Sequence, residues 1–592
     1  MKAFNLFIKK YNIYLLLACI ILLQTVCLTV SFANNKKGYH SDELWSYGFA
    51  CSSEGMNVFS ERDGQTPKNF DKWVSSSVLH DYITIDKSET FDYVSVYQNS
   101  ADDYHPFLYF ILLHFICSIF PGTFSMWYAY VINIIFFIIQ QIFLFKLIRS
   151  LTGNSHWGII GTFFFGLTTG SENILFFLRM YCPATALSVV LFYYLTELYN
   201  KRNDSKISKS LFIKLFITTL AGCLMLHEFI ILAFIAALLY GLYYLFTKHV
   251  KYAFIFGGTM ISSALLSIGI FPSTIPHLFG STGTFGGHVK KYSFMFQFKI
   301  YWSYITNELF GIATSPWHTM TSVYVFYAII IFLFIPFCFI FRHEKWLHTF
   351  FKKLKNGFLQ FLKKFKHFNY AFVPLIISVI FIIAINSQMT SIMNMGRFAN
   401  RYIMIIYPLF AAFAVALLYY ITKWIFRSKK ICYAICMVLS VLFIVLSNLL
   451  APHCYRMNYP HAEMTIDAIE SDSNCIVMLS SQFLLTCLTD KLSDTEHFYA
   501  ATYHSALTDD YDADFDLNSK PLYLLLDVTT FENNGVSLGG IQAPQIQFEA
   551  DSLYDKDEYI DFFKNLDIAS NFELVGIDYN MYGRKVEIYR LN

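Results

Sequence analysis

The sequence predicts a polytopic α-helical membrane protein with an α/β domain at its C-terminal end, outside the membrane. Of its 592 residues, 55% are hydrophobic and only 15% are charged. The apolar residues come in long blocks of the length that crosses a bilayer, and the mean hydropathy is +0.44. From Ala451 onward the composition changes to that of a soluble domain. We therefore predict a membrane domain over 1–450 and an α/β domain over 451–592.

The apolar blocks predict eleven membrane spans, and this odd number places the two termini on opposite sides of the membrane. With the N-terminus in the cytoplasm, every Lys- and Arg-rich loop also lies in the cytoplasm, as the positive-inside rule requires. The prediction is a multi-pass protein with a cytoplasmic N-terminus and an extracytoplasmic C-terminal domain. The predicted spans are 12–33, 124–148, 157–177, 183–199, 211–226, 229–247, 252–271, 320–341, 370–386, 402–421 and 431–450.

Two further segments are predicted to lie at the membrane surface. The stretch 106–120 is apolar but short for a span, so it is assigned to an interfacial helix within a first external segment, 34–123. The stretch 342–369 places aromatic residues and leucines among lysines. That pattern predicts a cytoplasmic amphipathic helix on anionic lipid, with a regulatory or partner site as the alternative.

Alternating helix and strand patterns indicate a small α/β fold in the C-terminal domain. No Gly-rich nucleotide loop and no nucleophile motif occurs there, so no separate chemistry is predicted for it. The predicted helices lie near 460–470 and 482–492, and the predicted strands near 475–479, 497–502, 521–528, 572–577 and 585–589.

Charge and cysteine content exclude several classes of function. The one dense basic cluster, Arg342 to Lys366, lies between two predicted spans, which argues against a nucleic-acid partner. The twelve cysteines are scattered and lack the Cys and His spacing of a zinc site. Neither a metal site nor a disulfide framework is predicted.

The strongest candidate for chemistry is the stretch 38–47, which follows the first span directly. It contains the adjacent acids Asp42 and Glu43. Carboxylates at a membrane edge are costly to desolvate and are commonly retained for a substrate, an ion or a partner. The alternative is structural, because Ser41 or Asp42 could cap a short helix that begins near Glu43.

Other polar residues of the membrane domain also collect at the outer ends of the predicted spans. Each has a simple explanation on its own, such as an interfacial arginine or a polar hairpin tip. Together, acids and bases on one face suit an anionic, lipid-borne substrate, since arginine forks bind phosphate and a carboxylate accepts a hydroxyl proton. These residues are His105, Glu172, Arg179, His227, Glu228, His288, Lys290, Lys291, Arg397 and Arg401.

An ordered set of motifs along residues 10–450 resembles the integral-membrane GT-C glycosyltransferases. The nearest branch is family 39-like and includes the protein O-mannosyltransferases, the lipid A aminoarabinose transferase and the Rgt-type core-lipopolysaccharide glycosyltransferases. Phe107 and Leu178 depart from the family pattern, and the second proline of the late motif is missing, which leaves the sugar class open. The motifs are Asp42-Glu43, His-Pro-Phe-Leu-Tyr-Phe-Ile-Leu-Leu-His (105–114), Arg-Met-Tyr (179–181), His227 and Arg-Phe-Ala-Asn-Arg-Tyr-Ile-Met-Ile-Ile-Tyr-Pro (397–408).

This resemblance implies a GT-C fold in a bacterial-type cell membrane. It also implies inverting transfer of a monosaccharide from a polyprenyl-phosphate donor to a hydroxyl of a cell-surface glycan, lipid or protein. Asp42 would be the general base, while Glu43 would orient the acceptor or hold a cation. The branch is regarded as metal-independent, so no cofactor is predicted. The implied donor-phosphate residues are Arg179, Arg397, Arg401, His105 and Lys290, and further substrate-site candidates are Tyr181, His227, Glu228 and Tyr402.

Three other functions remain open at this stage. A transporter or flippase for lipid-linked saccharides would commonly show internal repeats and mid-membrane charges, and neither is evident in the sequence. A polysaccharide polymerase or ligase would usually carry its large external loop late in the chain, whereas here that loop comes first. The third alternative is an inactive membrane scaffold whose outer domain binds partners.

Overall fold

The structure is a computed structural model, and its helices confirm a multi-pass membrane protein. Six helices are long and apolar enough to cross a membrane: Asn12–Asn35, Met126–Thr152, His227–Phe246, Val250–Ile270, Ala399–Lys423 and Lys429–Leu450. The structure describes residues 2–61, 67–204, 208–279, 294–312, 349, 352, 356, 370–388, 398–426, 428–458, 468–479, 482–508, 511–527, 556–566, 568–579 and 585–592.

The helices are numbered in chain order over the described residues. The α-helices are α1 Lys2–Asn35, α2 Ser41–Cys51, α3 Ser77–Ile83, α4 Tyr93–Asp102, α5 Leu108–Ile119, α6 Met126–Thr152, α7 Ser155–Phe165, α8 Thr169–Phe176, α9 Tyr181–Asn200, α10 Lys209–Met225, α11 His227–Phe246, α12 Val250–Ile270, α13 Thr274–Phe279, α14 Phe294–Phe310, α15 Val373–Gln388, α16 Tyr407–Ile425, α17 Lys429–Leu450, α18 Thr489–Leu492, α19 Tyr503–Ala506 and α20 Lys556–Asn565. The 3₁₀ helices are Gly55–Val58, Tyr370–Phe372, Ala399–Ile406, Cys454–Arg456, Gln482–Leu488 and Leu517–Ser519.

Some predicted spans correspond to single helices of the structure and others do not. The predicted span 157–177 is two helices, α7 and α8, because the backbone becomes extended at Thr168, with ψ at 156°. Helices α9, α10 and α15 occupy three more predicted spans but fall short of the length or hydropathy of the six above. The predicted span 320–341 lies outside the described residues, as does nearly all of 342–369. The number of spans therefore stays a prediction.

Aromatic contacts at one end of the bundle hold the C-terminal end of α1 in place. Phe32 is fully buried in the last turns of α1. Its ring stacks on Tyr130 of α6 with centroids 4.0 Å apart and meets Phe176 of α8 edge-on at 5.3 Å. Such aromatic pairs stabilise beyond the area that they bury. They hold the stretch that follows α1 against α6 and α8.

The predicted C-terminal α/β fold contains a six-stranded sheet in the order β1-β3-β2-β4-β6-β5. Strands β2 and β4 are buried along their whole length, so both faces of the sheet centre are covered. The region predicted as a helix near 482–492 is a 3₁₀ helix followed by the single turn α18, and 460–470 lies mostly outside the described residues. The strands are β1 Trp73–Ser75, β2 Asn474–Leu479, β3 His497–Thr502, β4 Leu522–Asp527, β5 Phe572–Tyr579 and β6 Lys585–Leu591.

Strand β1 comes from the first external segment and not from the C-terminal domain. Trp73 to Ser75 pair antiparallel with β3, and the Trp73 indole donates to the carbonyl of Tyr511 at 3.0 Å. The Ser76 and Thr495 hydroxyls lie 2.7 Å apart beside this pairing. The 3₁₀ helix Gln482–Leu488 also contacts α2. The external segment and the C-terminal domain are thus folded together next to the start of α2.

Candidate active site

Three elements meet around the carboxylate of Asp42. Asp42 lies in the first turn of α2, Arg179 lies in the break between α8 and α9, and Arg401 lies on the 3₁₀ helix Ala399–Ile406. Asp42 Oδ2 is 3.0 Å from Nη1 of Arg179 and 3.1 Å from Nη1 of Arg401. Residues far apart in the sequence therefore form one cluster.

The N-terminal cap of α2 does not use the Asp42 side chain, so its carboxylate can pair with the two arginines. The N-cap residue is His40, and not Ser41 or Asp42 as the structural alternative required. His40 Nδ1 accepts a hydrogen bond from the Asp42 amide at 3.1 Å. Burial lowers the pKa of His40 to about 3, so its ring is neutral and its approach to Asp42 Oδ1 is not an ion pair.

Two guanidinium groups set the charge state of Asp42. The residue is only 7% exposed, and burial alone would raise the pKa of its carboxyl. Attraction to Arg401, and further to Arg179, outweighs burial and holds this pKa well below its usual range. Asp42 is therefore an ionised carboxylate at neutral pH.

Arg179 is a buried cation with unused hydrogen-bond donors. Its side chain is 1% exposed, and Nη1 is bound to Asp42. The Nε and Nη2 atoms are buried and have no hydrogen-bond partner among the described residues. Buried polar groups are almost always satisfied, and an exception calls for an explanation such as an absent ligand. A guanidinium with an open N–H pair suits a bidentate anion such as phosphate.

Arg401 is fixed by an aromatic neighbour. Its Nη2 donates to the Tyr402 hydroxyl at 3.2 Å, and its guanidinium carbon lies 5.1 Å from the centroid of that ring. Tyr402 is 8% exposed. On the other side of the cluster, Tyr181 stacks on Phe177 with centroids 5.1 Å apart and rings inclined by 16°. Tyr181 also interacts electrostatically with Arg401 and Arg179, so both predicted tyrosines lie near the arginines.

Glu43 holds a buried cation, which is one of the two roles considered for it. Lys36 Nζ lies 2.8 and 2.7 Å from its two carboxylate oxygens, and both side chains are buried. The amides of His40 and Leu178 donate to the same carboxylate at 2.8 and 2.9 Å. With these donors in place, Glu43 ties the start of α2 to the residue preceding Arg179. This arrangement positions the site, and the role of Glu43 toward an acceptor stays a prediction.

His105, His227 and Glu228 form a second group nearby. His105 Nδ1 is 2.6 Å from Asp103 Oδ2, and this histidine holds the pKa of Asp103 below its usual range although burial acts to raise it. His227 Nε2 lies 3.5 Å from His277 Nδ1. Glu228 is buried and interacts electrostatically with His105, Arg401 and Arg179. This group lies next to the Asp42 cluster. The direct partners of His105 and His227 are Asp103 and His277, and not Asp42 or its two arginines.

Glu172 has a structural place outside the cluster. Arg456 binds it as a fork, with Nε 2.6 Å from Oε1 and Nη2 2.9 Å from Oε2. His453 Nδ1 lies 2.8 Å from Oε1 as well. These bonds join α8 to the segment after α17.

Glu308 is a site neighbour that the sequence analysis missed. The amides of Asn173 and Asn400 donate to its two oxygens, each at 2.9 Å. Burial raises the pKa of Glu308 to about 7, and the hydrogen bonds from the two neutral amides lower it too little to offset burial. Asn400 directly precedes Arg401, so Glu308 connects α14 to the 3₁₀ helix that carries this arginine. No motif distinguishes Glu308 from any other acid in an external loop.

Two predicted phosphate ligands, Arg397 and Lys290, lie outside the described residues, as does His288. Among the residues that the structure describes, no group of three or more His, Cys, Asp or Glu side chains is arranged to hold a metal ion. The absence of a metal cofactor stays a prediction.

Comparison with known proteins gives similarities among solved structures only. No family model and no curated protein matches the chain. Among solved structures, the chain is similar to one described as archaeal oligosaccharyltransferase AglB from Archaeoglobus fulgidus in complex with an inhibitory peptide and a dolichol-phosphate. Identity is 11%, the match covers 88% of this chain and 70% of that chain, and the TM-score is 0.44.

Proposed function

We propose that this chain is a GT-C-type glycosyltransferase that moves one sugar from a polyprenyl-phosphate donor to an acceptor hydroxyl with inversion. The observation that supports it best is the carboxylate of Asp42 between Arg179 and Arg401. A base and two phosphate-binding cations then share one buried site, which is what displacement of a phosphate leaving group needs. The acceptor is a hydroxyl of a glycan, a lipid or a protein at the outer membrane face.

The two arginines bind the donor phosphate. Arg179 offers Nε and Nη2, which have no partner among the described residues, while Arg401 shares its Nη1 with Asp42. Charge accumulates on the phosphate oxygens as the sugar leaves, so fixed guanidinium groups stabilise the transition state more than the ground state. Burial strengthens this effect by excluding water.

Asp42 takes the proton in the transfer step. The acceptor hydroxyl oxygen attacks the anomeric carbon and forms the new glycosidic bond, while the bond from that carbon to the phosphate oxygen breaks. The acceptor proton passes to Asp42, and the bonding electrons leave with polyprenyl phosphate, which Arg179 and Arg401 hold. One displacement inverts the anomeric configuration.

Donor binding makes Asp42 a stronger base. In the free protein the two guanidinium groups hold the pKa of Asp42 low, which makes it a weak proton acceptor. A bound phosphate partly neutralises both cations, and the pKa of Asp42 rises as a result. The base then becomes competent when the donor is in place.

The test is a transfer assay with purified full-length protein in lipid. Radiolabelled polyprenyl-phosphate sugars are supplied with candidate acceptors to wild type, Asp42→Asn and the control Glu54→Gln. Glu54 is an exposed residue paired with Lys68 in the first external segment. We expect label transfer and release of polyprenyl phosphate by wild type and control only. Movement of intact donor across the bilayer with no release from any donor would overturn the proposal in favour of a transporter.

A further inference from the structure

A polar cavity lies at the opposite end of the bundle from the Asp42 cluster. It has a volume of about 180 Å³ and lies between the C-terminal ends of α6 and α9 and the start of α10. The N-terminal ends of α6 and α9 are near the Asp42 cluster, where Tyr47 of α2 donates to the carbonyl of Ser125 and Arg179 precedes α9. The length of α6 therefore separates the two sites.

The cavity carries an excess of positive charge. Lys146, Lys201 and Lys214 line it, with Glu197 as the one acid among its lining residues. Glu197 already accepts a hydrogen bond from Ser150 at 2.8 Å and lies 4.0 Å from Lys201. Neither Lys146 nor Lys214 has a carboxylate within ion-pair distance among the described residues. Two ammonium groups thus share one cavity without a directly paired carboxylate among the described residues.

Aromatic rings hold these ammonium groups in place. Lys146 Nζ lies 4.4 Å from the Phe143 ring centroid, and Lys214 Nζ lies 5.8 Å from that of Tyr194. Cation–π contacts position a cation without neutralising it. The hydroxyls of Tyr194, Ser208 and Ser210 also line the cavity, and none has a hydrogen-bond partner within the described ranges. Cations and hydroxyl donors together match a phosphate group.

The surface beside the cavity favours a lipid phosphate over free phosphate as the ligand. Ile213 and Ile217 flank Lys214 on α10, and each is 58% exposed. An apolar ridge next to a basic cavity at a membrane-helix end accommodates the acyl chains of a lipid whose headgroup occupies the cavity. We propose that this cavity binds the phosphate headgroup of an anionic phospholipid.

The test measures lipid binding to the full-length protein by native mass spectrometry in detergent. The probes are phosphatidylglycerol and phosphatidylcholine with the same acyl chains, and inorganic phosphate as a competitor. The test variant is Lys146→Gln/Lys214→Gln. The matched control is Lys429→Gln/Lys430→Gln, which removes two exposed lysines from the start of α17, outside the cavity. Thermal unfolding of each variant verifies its fold.

We expect wild type to prefer phosphatidylglycerol, and the cavity variant to lose about 30-fold in affinity for it, as about 1 kcal/mol for each lysine predicts. Its affinity for phosphatidylcholine and the behaviour of the control variant should stay unchanged. Equal losses in the cavity and control variants would overturn the proposal. Displacement of phosphatidylglycerol by an equal concentration of inorganic phosphate would also overturn it, since the site would then be one for the free anion.

Discussion

Asp42 and Glu43 are adjacent acids at the start of one helix, yet their surroundings differ in one decisive respect. Glu43 receives donors from Lys36, His40 and Leu178, and every one of these bonds lies within the protein. Asp42 is bound by Arg179, two of whose nitrogens have no partner within the described residues. Glu43 therefore completes its network within the protein, whereas Asp42 belongs to a network in which Arg179 can still bind an anion.

This difference shows that burial alone does not identify a functional acid. Glu43 is fully buried and Asp42 nearly so. What separates them is the state of their partners, because a saturated ion pair orders the fold while a cation with unused donors can bind a ligand. The predictions below test this contrast.

The largest effect is expected for Asp42→Asn. Loss of a general base lowers the rate by about 10²–10⁴-fold. We expect kcat for transfer to fall by this amount while the KM for donor changes little, because Arg179 and Arg401 remain. Steady-state kinetics per folded molecule provides the measurement. A rise in KM with unchanged kcat would instead make Asp42 a binding residue.

Glu43→Gln is expected to affect folding and not chemistry. Removing one partner of a buried ion pair costs about 3–5 kcal/mol of unfolding free energy, since Lys36 would remain buried without its counter-ion. Thermal unfolding in detergent measures the loss, and Lys36→Met/Glu43→Gln should restore part of it. Transfer per folded molecule should stay close to wild type. A loss of kcat as large as that of Asp42→Asn would remove the contrast between the two acids.

Arg179→Lys sharpens the role of the unused donors. Lysine keeps the charge but lacks the planar fork, so transfer should fall by about 10²-fold with a weaker affinity for polyprenyl phosphate. Arg456→Lys is the matched control, since Arg456 forms a fork with Glu172 away from the site. Equal kinetic losses in both variants would mean that Arg179 acts through general packing.

The smallest effect concerns Glu308, a third buried acid whose two amide partners are neutral. Its pKa is raised to about 7 in the folded protein. At pH values between the pKa of the unfolded chain's glutamate and 7, the folded protein therefore binds an extra proton compared with the unfolded chain. Stability should therefore fall as pH rises through this window and level off above it, by about 2 kcal/mol between pH 5 and pH 8. In Glu308→Gln, the midpoint of thermal unfolding should no longer show this part of the pH dependence. Identical pH dependence in both proteins would contradict the assignment.

Hydropathy and charge were sufficient to predict the multi-pass architecture, because the membrane imposes length and composition on each span. They did not reveal the break between α7 and α8, because the apolar residues on both sides outweigh the short polar stretch 166–173 in the hydropathy of the whole block. Strand β1 also escaped prediction. Its three residues are too few to show a periodicity, and the strand is defined by pairing with distant β3.

The site was predicted in part for similar reasons. Asp42 was found because an acid at a membrane edge is unusual, and Arg179 and Arg401 because arginines at outer span ends are conspicuous. Lys36 and Asp103 were missed, since each resembles an ordinary loop charge until its partner is known. Partner identity depends on tertiary contacts, which one sequence does not display.

The most direct test of the account is binding of polyprenyl phosphate, the leaving group, to wild type, Asp42→Asn and Arg179→Lys/Arg401→Lys, measured beside transfer. Asp42→Asn should bind this product as tightly as wild type or more tightly, because the carboxylate that competes for both guanidinium groups is gone, while transfer is lost. The double arginine variant should lose binding. If Asp42→Asn loses binding together with transfer, or if the arginine variant binds normally, the assignment of base and phosphate site is contradicted.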